Sequence, residues 1–304
     1  MHPRTRSVVT LVGLIASAVG GAACSRSPEP TSGAGPDAAP AAARPTAPPN
    51  SLPVPSASVA AAVNPSDLPV YSGPTGIIEG TVLVRGPESP DVPDLNVHNC
   101  PAALDTYGKL FRAGPPRADG LRPLADAVVF VTGYSGSYLP ATSDVRRAVI
   151  RPSCGFPERT ITMTYGQRLE VANDSKVPFG PYLDGVQQVA VRIAPPEQNG
   201  DPVKIFPPRP GHYALLDQLQ PFMREDVYVL LQPLHTVSSV TGHFRIEGVP
   251  ATKVKVSSQL GAIGADARSD IEVRPGVVED VELVLTYTPR AAVVSDAGWQ
   301  RVIP

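Results

Sequence analysis

The sequence predicts an all-β protein, built as two small β-sandwiches behind an unstructured leader. Three observations carry this. The chain of 304 residues holds 37 prolines scattered every few residues, and an interior proline breaks a helix by removing a hydrogen bond and crowding the preceding turn. Short runs alternate apolar and polar side chains with the period of two that a half-buried strand requires. Turn residues separate those runs at regular spacing, which is the pattern of a sandwich.

The first segment reads as targeting, not fold. Arg4 and Arg6 precede an apolar run from Val8 to Val19, too short to span a bilayer comfortably. The run ends in Gly21-Ala22-Ala23-Cys24. Small residues before a Cys resemble a bacterial lipobox. The resemblance implies a signal peptide over residues 1–23, cleavage before Cys24 and lipid on Cys24. Ordinary cleavage after Ala22 or Ala23 is the alternative. Ser25 and Arg26 lack the Asp that resembles an inner-membrane retention signal, which favours the outer membrane. Residues 24–72 are mostly Pro, Ala, Ser, Thr and Gly. Such a stretch buries too little surface to offset its ordering entropy, so it is expected to be a disordered tether.

Roughly 215 residues of foldable chain remain, room for one large β domain or two small ones. The formal net charge of −2 implies no polyanionic partner, and no basic stripe with interleaved aromatics points to nucleic acid. Cys100 and Cys154 are an even pair in an exported chain. An oxidising compartment makes a disulfide between them the expectation, with two structural thiols as the alternative. Closing that loop contributes about 4 kcal/mol in the chain-entropy model.

Strands are expected in order along this part. Thr160 to Tyr165 alternates, Gly166-Gln167 turns, and Arg168 to Val171 resumes the pattern. Asp226 to Leu231, His243 to Ile246, Lys253 to Val256 and Asp280 to Leu285 follow. Ser239-Val240-Thr241-Gly242-His243-Phe244-Arg245-Ile246-Glu247-Gly248-Val249-Pro250 resembles the signature of a carboxypeptidase regulatory-like, transthyretin-type sandwich. That family opens with two earlier strands, matched upstream by Ile78-Glu79-Gly80-Thr81-Val82 and by Pro123 to Val131. The resemblance implies one sandwich made from residues 73–143 and 236–289, with residues 144–235 inserted into it and a tail over 290–304. Two consecutive domains are the alternative.

The inserted stretch carries a second resemblance. Cys154-Gly155-Phe156-Pro157, then Gly166 to Asp174, then Pro210-Gly211-His212-Tyr213-Ala214-Leu215-Leu216-Asp217-Gln218-Leu219-Gln220-Pro221-Phe222-Met223 resemble a plastocyanin-like cupredoxin, a Greek-key sandwich. The family's copper loop reads roughly Gly-x-Tyr-x-Val-x-Cys-x-x-His-Pro-Trp-Met. Matched residue by residue, Pro178 stands at the first His ligand, Asp217 at the Cys and Gln220 at the second His. Only Met223 stands where a ligand belongs. A blue-copper centre needs two imidazoles and a thiolate with a weak axial thioether. The resemblance therefore implies the fold with a degenerate metal site, and no cofactor is expected.

Catalytic motifs are absent from the sequence. Gly133-Tyr134-Ser135-Gly136-Ser137 lacks the second glycine and the following helix of a nucleophile elbow. No phosphate loop or zinc-hydrolase helix occurs. The expected function is a non-catalytic, envelope-anchored binding or structural module whose partners are the membrane, through Cys24, and an envelope protein or glycan. Phe179 and Tyr182, beside the old ligand position, are the candidate contact loop; the preferred reading is that the two rings plug the space a copper site would vacate. The alternative is a periplasmic copper-binding or electron-transfer protein with a rearranged site drawn from Met223, His212 and Asp217.

Overall fold

The computed structural model describes residues 49–289. The signal segment, Cys24, the first part of the tether and the tail lie outside the described residues. Within them the chain is nearly all β, with two short helices. Helix α1 is Ser56–Val63 and α2 is Leu104–Tyr107. The strands in chain order are β1 (Thr75–Arg85), β2 (Arg122–Pro123), β3 (Val128–Thr132), β4 (Val145–Ile150) and β5 (Thr160–Thr164). Next come β6 (Arg168–Asn173), β7 (Pro181–Leu183), β8 (Val203–Ile205), β9 (Gly211–Asp217) and β10 (Arg224–Leu230). The last are β11 (His235–Val237), β12 (His243–Pro250), β13 (Lys253–Leu260), β14 (Ala265–Glu272) and β15 (Val278–Thr286).

Four sheets form two cores. One core lies between the sheet β12-β1-β15, extended by β2, and the sheet β11-β3-β13-β14. The other lies between β5-β10-β9-β7 and β4-β6-β8. Alternation explains both, because successive side chains on a strand face opposite ways. In β1, Ile78, Val82 and Val84 point into the first core and meet Phe244 and Ile246 of β12 and Leu283 and Leu285 of β15. In β10, Val227 and Val229 point into the second core beside Ile161 and Met163 of β5.

Strand β1 pairs antiparallel with β12 and in parallel with β15, so Ile78–Val82 and Val281–Leu285 lie side by side. A side chain at residue 80 has no room there. A Cβ on Gly80 falls 1.9 Å from the carbonyl oxygen of Val281. The glycine of the upstream motif is thus a condition for the β1–β15 pairing.

Two features differ from the expected boundaries. Residues 49–72 were expected within a disordered tether, yet the first part is ordered against the second sandwich, and Val70 and Tyr71 pair with Tyr138 in the loop after β3. The Asn50 amide donates to Lys204 O at 2.8 Å and its side-chain Nδ2 to Pro181 O at 2.7 Å. The Phe206 amide donates to Ser51 Oγ at 2.6 Å. Val54, Val59, Ala62 and Val63 lean on the core. A few polar anchors and small apolar contacts suffice where the partner surface is already formed, and a search for large apolar residues does not register them. The second difference is the segment around α2. Cys100, Ala103 and Tyr107 precede β2 in the chain, yet pack into the second core. The Cys100–Cys154 disulfide ties that segment to the turn after β4.

The two halves meet along a buried seam. Strand β5 is buried on both faces. Ile161 and Met163 enter the second core, while Thr160 Oγ1 donates to Asp126 O at 2.6 Å and Thr164 Oγ1 contacts His235 Nε2 at 3.2 Å. Asp126 is the hub. Arg112 Nε donates to its Oδ2 at 2.8 Å, and the Arg159 amide donates to its Oδ1 at 2.6 Å.

Candidate functional site

The positions aligned with copper ligands converge at one end of the second sandwich. Strand β9 ends at Asp217, which lies opposite Pro181 of β7. The chain then turns through Gln218 to Met223 into β10. This turn is held by its own side chains. Asp217 Oδ1 accepts the amides of Leu219 at 2.9 Å and Gln220 at 2.8 Å. Gln220 Nε2 donates to the carbonyl oxygen of Pro178 at 3.2 Å, which joins the two ligand-bearing segments directly. The Met223 amide donates back to Gln220 O at 3.0 Å.

The interior of this end is filled. Phe179 is fully buried and meets Phe222 edge-on at 6.5 Å between ring centroids. Phe222 in turn packs against Tyr107 at 5.8 Å. Met223 is buried among the core residues. Of the two readings of this loop, Phe179 follows the space-filling one: it is not a surface aromatic, and the Phe179–Ala194 backbone bridge turns its ring inward. Tyr182 is half-buried on β7. The apolar side chains exposed near Gly180 are Ile193 and Leu219, at 40% and 42%.

Asp217 is an unusual carboxylate. Burial pushes its pKa from 3.8 up to about 6, and hydrogen bonds from the Leu219, Gln220 and Gly180 amides pull it back only in part. Its Oδ2 has no hydrogen-bond partner among the described residues. An anionic acceptor at this position closes the turn without a metal.

The donor set does not fit copper. Pro178 offers no side-chain donor, and Asp217 and Gln220 are engaged with backbone groups. A single thioether is too soft and too weak a ligand to hold copper(II) alone. His212 cannot reach the turn. It lies five residues before Asp217 on the same strand, about 17 Å away at the strand rise. There it stacks on Tyr228 at 4.5 Å, and its Nε2 contacts Asp226 Oδ1 at 2.8 Å. Among the described residues no group of three His, Cys, Asp or Glu side chains is placed to share an ion.

Sequence reasoning missed a buried polar group next to this site. Glu225 is fully buried on β10, on the same face as Val227 and Val229, and Tyr107 Oη donates to its Oε1. Desolvation raises its pKa well above the usual carboxylate value. Asp126 adds to the rise, and Tyr107, Arg159 and Arg112 oppose it. The signal was present in the pattern, as an acid at a core-facing position of an alternating strand. Its partner Tyr107, 118 residues away, left no trace in the local sequence.

No known protein family and no curated protein matches the chain. Among solved structures, similar chains include a point mutant of amicyanin in its reduced state, at 18% identity, over 33% of this chain and 98% of that one, with a TM-score of 0.25. A purple cupredoxin from Nitrosopumilus maritimus is 17% identical over 27% of this chain and 97% of that one, with a TM-score of 0.23. Amicyanin from Paracoccus versutus is 16% identical over 30% of this chain and 95% of that one, with a TM-score of 0.24. Likeness at this level assigns no function.

Proposed function

We propose that the chain is a non-catalytic, envelope-anchored binding or structural module. In this reading a cupredoxin-like sandwich with a degenerate copper site is inserted into a carboxypeptidase regulatory-like one. The observation that carries it is the fate of the ligand positions. Asp217 and Gln220 spend their side chains on the backbone of their own turn and of Pro178. The end of the sandwich is thereby a braced surface, with Ile193 and Leu219 exposed beside Gly180 for contact with an envelope protein or glycan. Lipid on Cys24 holds it at the membrane, and the Pro- and Ala-rich stretch after it sets the reach.

Titrating the purified full chain with copper(I) and copper(II) tests this. The reading expects no stoichiometric binding tighter than micromolar. Tight binding that disappears on Met223→Leu or His212→Ala reinstates the electron-transfer alternative. Anchoring is tested separately by fractionation of a bacterial host. Cys24→Ser is expected to move the chain from the membrane to the soluble fraction, and unchanged membrane association contradicts the lipid anchor.

A further inference from the structure

A cleft of about 310 Å³ opens on the seam, away from the Asp217 turn. It lies between β4 and β11, each an edge strand of its sheet and each from a different half of the fold. Its lining is mostly polar and includes Arg146, Glu158, Thr162, Thr164, Gln167 and His235. The wall is built rigidly. Gln167 Oε1 accepts the Thr164 amide at 2.7 Å, and its Nε2 donates to Ser143 O at 2.8 Å.

Arg146 is the anomaly. Burial lowers its pKa from the usual guanidinium value, and Glu158 attracts it without closing an ion pair. Arg112, the other half-buried arginine of the seam, finds acceptors in Asp126 and Pro157 O. Arg146 has none among the described residues, and its Nε is sealed from solvent with no partner. A guanidinium presents five donors and no acceptor, so sealing Nε without an oxygen is costly, and the half-exposed head is left to an acceptor from outside the protein. His235 beside it shows the same lack. Its Nδ1 is buried without a partner, while Nε2 faces Thr164 Oγ1. Burial and the nearby Arg146 keep this imidazole neutral, with a pKa lowered to about 4. The one carboxylate in the lining, Glu158, makes no ion pair or hydrogen bond with Arg146.

We propose that this cleft binds the carboxylate of a small polar molecule, with Arg146 as its principal ligand, Thr162 beside it and the His235 ring in its wall. A planar carboxylate matches the guanidinium fork, and such charge-assisted pairs are the stronger kind of hydrogen bond. Glu158, also in the lining, repels a second negative charge, which favours a monoanion over phosphate. The cleft sits at the lower end of the volume range of small-molecule sites, roughly 300–1,000 Å³. The inference is independent of the copper question, since none of these residues belongs to the Asp217 turn.

The test follows the His235 ring signals of the full chain by NMR while acetate, inorganic phosphate or chloride is added at constant ionic strength. His235→Gln assigns the signals. Acetate is expected to shift them saturably, phosphate about tenfold more weakly and chloride not at all. Arg146→Lys keeps the charge but loses the fork, and should weaken acetate by about tenfold or more. Glu158→Gln should tighten acetate and strengthen phosphate, a gain that a damaged fold does not produce. The proposal is overturned if acetate leaves His235 unmoved, if chloride acts as acetate does, if phosphate binds as tightly, if Arg146→Lys binds unchanged, or if Glu158→Gln gives no gain.

Discussion

Asp217 shows how one residue can close a loop at a cost to the fold. Its pKa in the folded chain, about 6, lies above the ordinary 3.8. A carboxyl raised by folding contributes fully to stability below its unfolded value, and that contribution is lost as pH rises through the folded one. The window is therefore from about 3.8 to about 6, and two units across it correspond to about 3 kcal/mol. Asp217→Asn keeps an oxygen for the Leu219 and Gln220 amides and removes the charge. It is expected to be more stable than the parent by about 1–2 kcal/mol near pH 8, with the gap closing near pH 4. Chemical denaturation at both pH values checks this, and a variant less stable than the parent only at the higher pH contradicts it. The substitutions at 178, 217 and 220 were readable in the sequence because a motif fixes their positions. The filling role of Phe179 followed from the same motif, but the backbone bridge to Ala194 that sets its direction did not, because it comes from a loop with no periodicity.

At the scale of elements, strands that alternate large apolar side chains were legible, as in β5, β10 and β13, whereas β14, which alternates alanine and serine with polar residues, was not. Short or irregular ones such as β7 and β8 were not, because three residues are too few to show a period. Gly80 links a motif to a register. It lets β1 approach β15 so closely that a methyl group meets the Val281 carbonyl at 1.9 Å. Backbone on both sides cannot yield as a flexible side chain does. Gly80→Ala is accordingly expected to cost about 1–3 kcal/mol or more of stability, read as a lower denaturation midpoint. Unchanged stability contradicts the pairing of these strands. The helix α1 was not anticipated either. It has no fully buried residue of its own, so its order comes from the polar anchors at Asn50 and Ser51 together with the partial packing of Val59, Ala62 and Val63 on the core.

For the whole molecule, the seam is the feature that no local pattern revealed. Its members Arg112, Asp126, Thr160 and Glu225 come from four separate segments, and no local pattern pairs any one of them with the others. Packed together they make the two sandwiches one compact unit. Arg112→Ala leaves the Asp126 carboxylate buried without its main partner, and breaking such a pair costs about 3–5 kcal/mol. Adding Asp126→Asn should recover part of that loss, and a double variant no better than the single one contradicts the role of the charge. The account as a whole rests on a cupredoxin-like end whose shape is kept by hydrogen bonds in place of a metal. Copper(II) spectroscopy on the parent chain beside a Pro178→His, Asp217→Cys, Gln220→His triple variant tests that most directly. The account predicts a parent with no copper chromophore and a triple variant with an intense thiolate-to-copper absorption. A parent that binds copper stoichiometrically, or a folded triple variant that stays colourless, contradicts it.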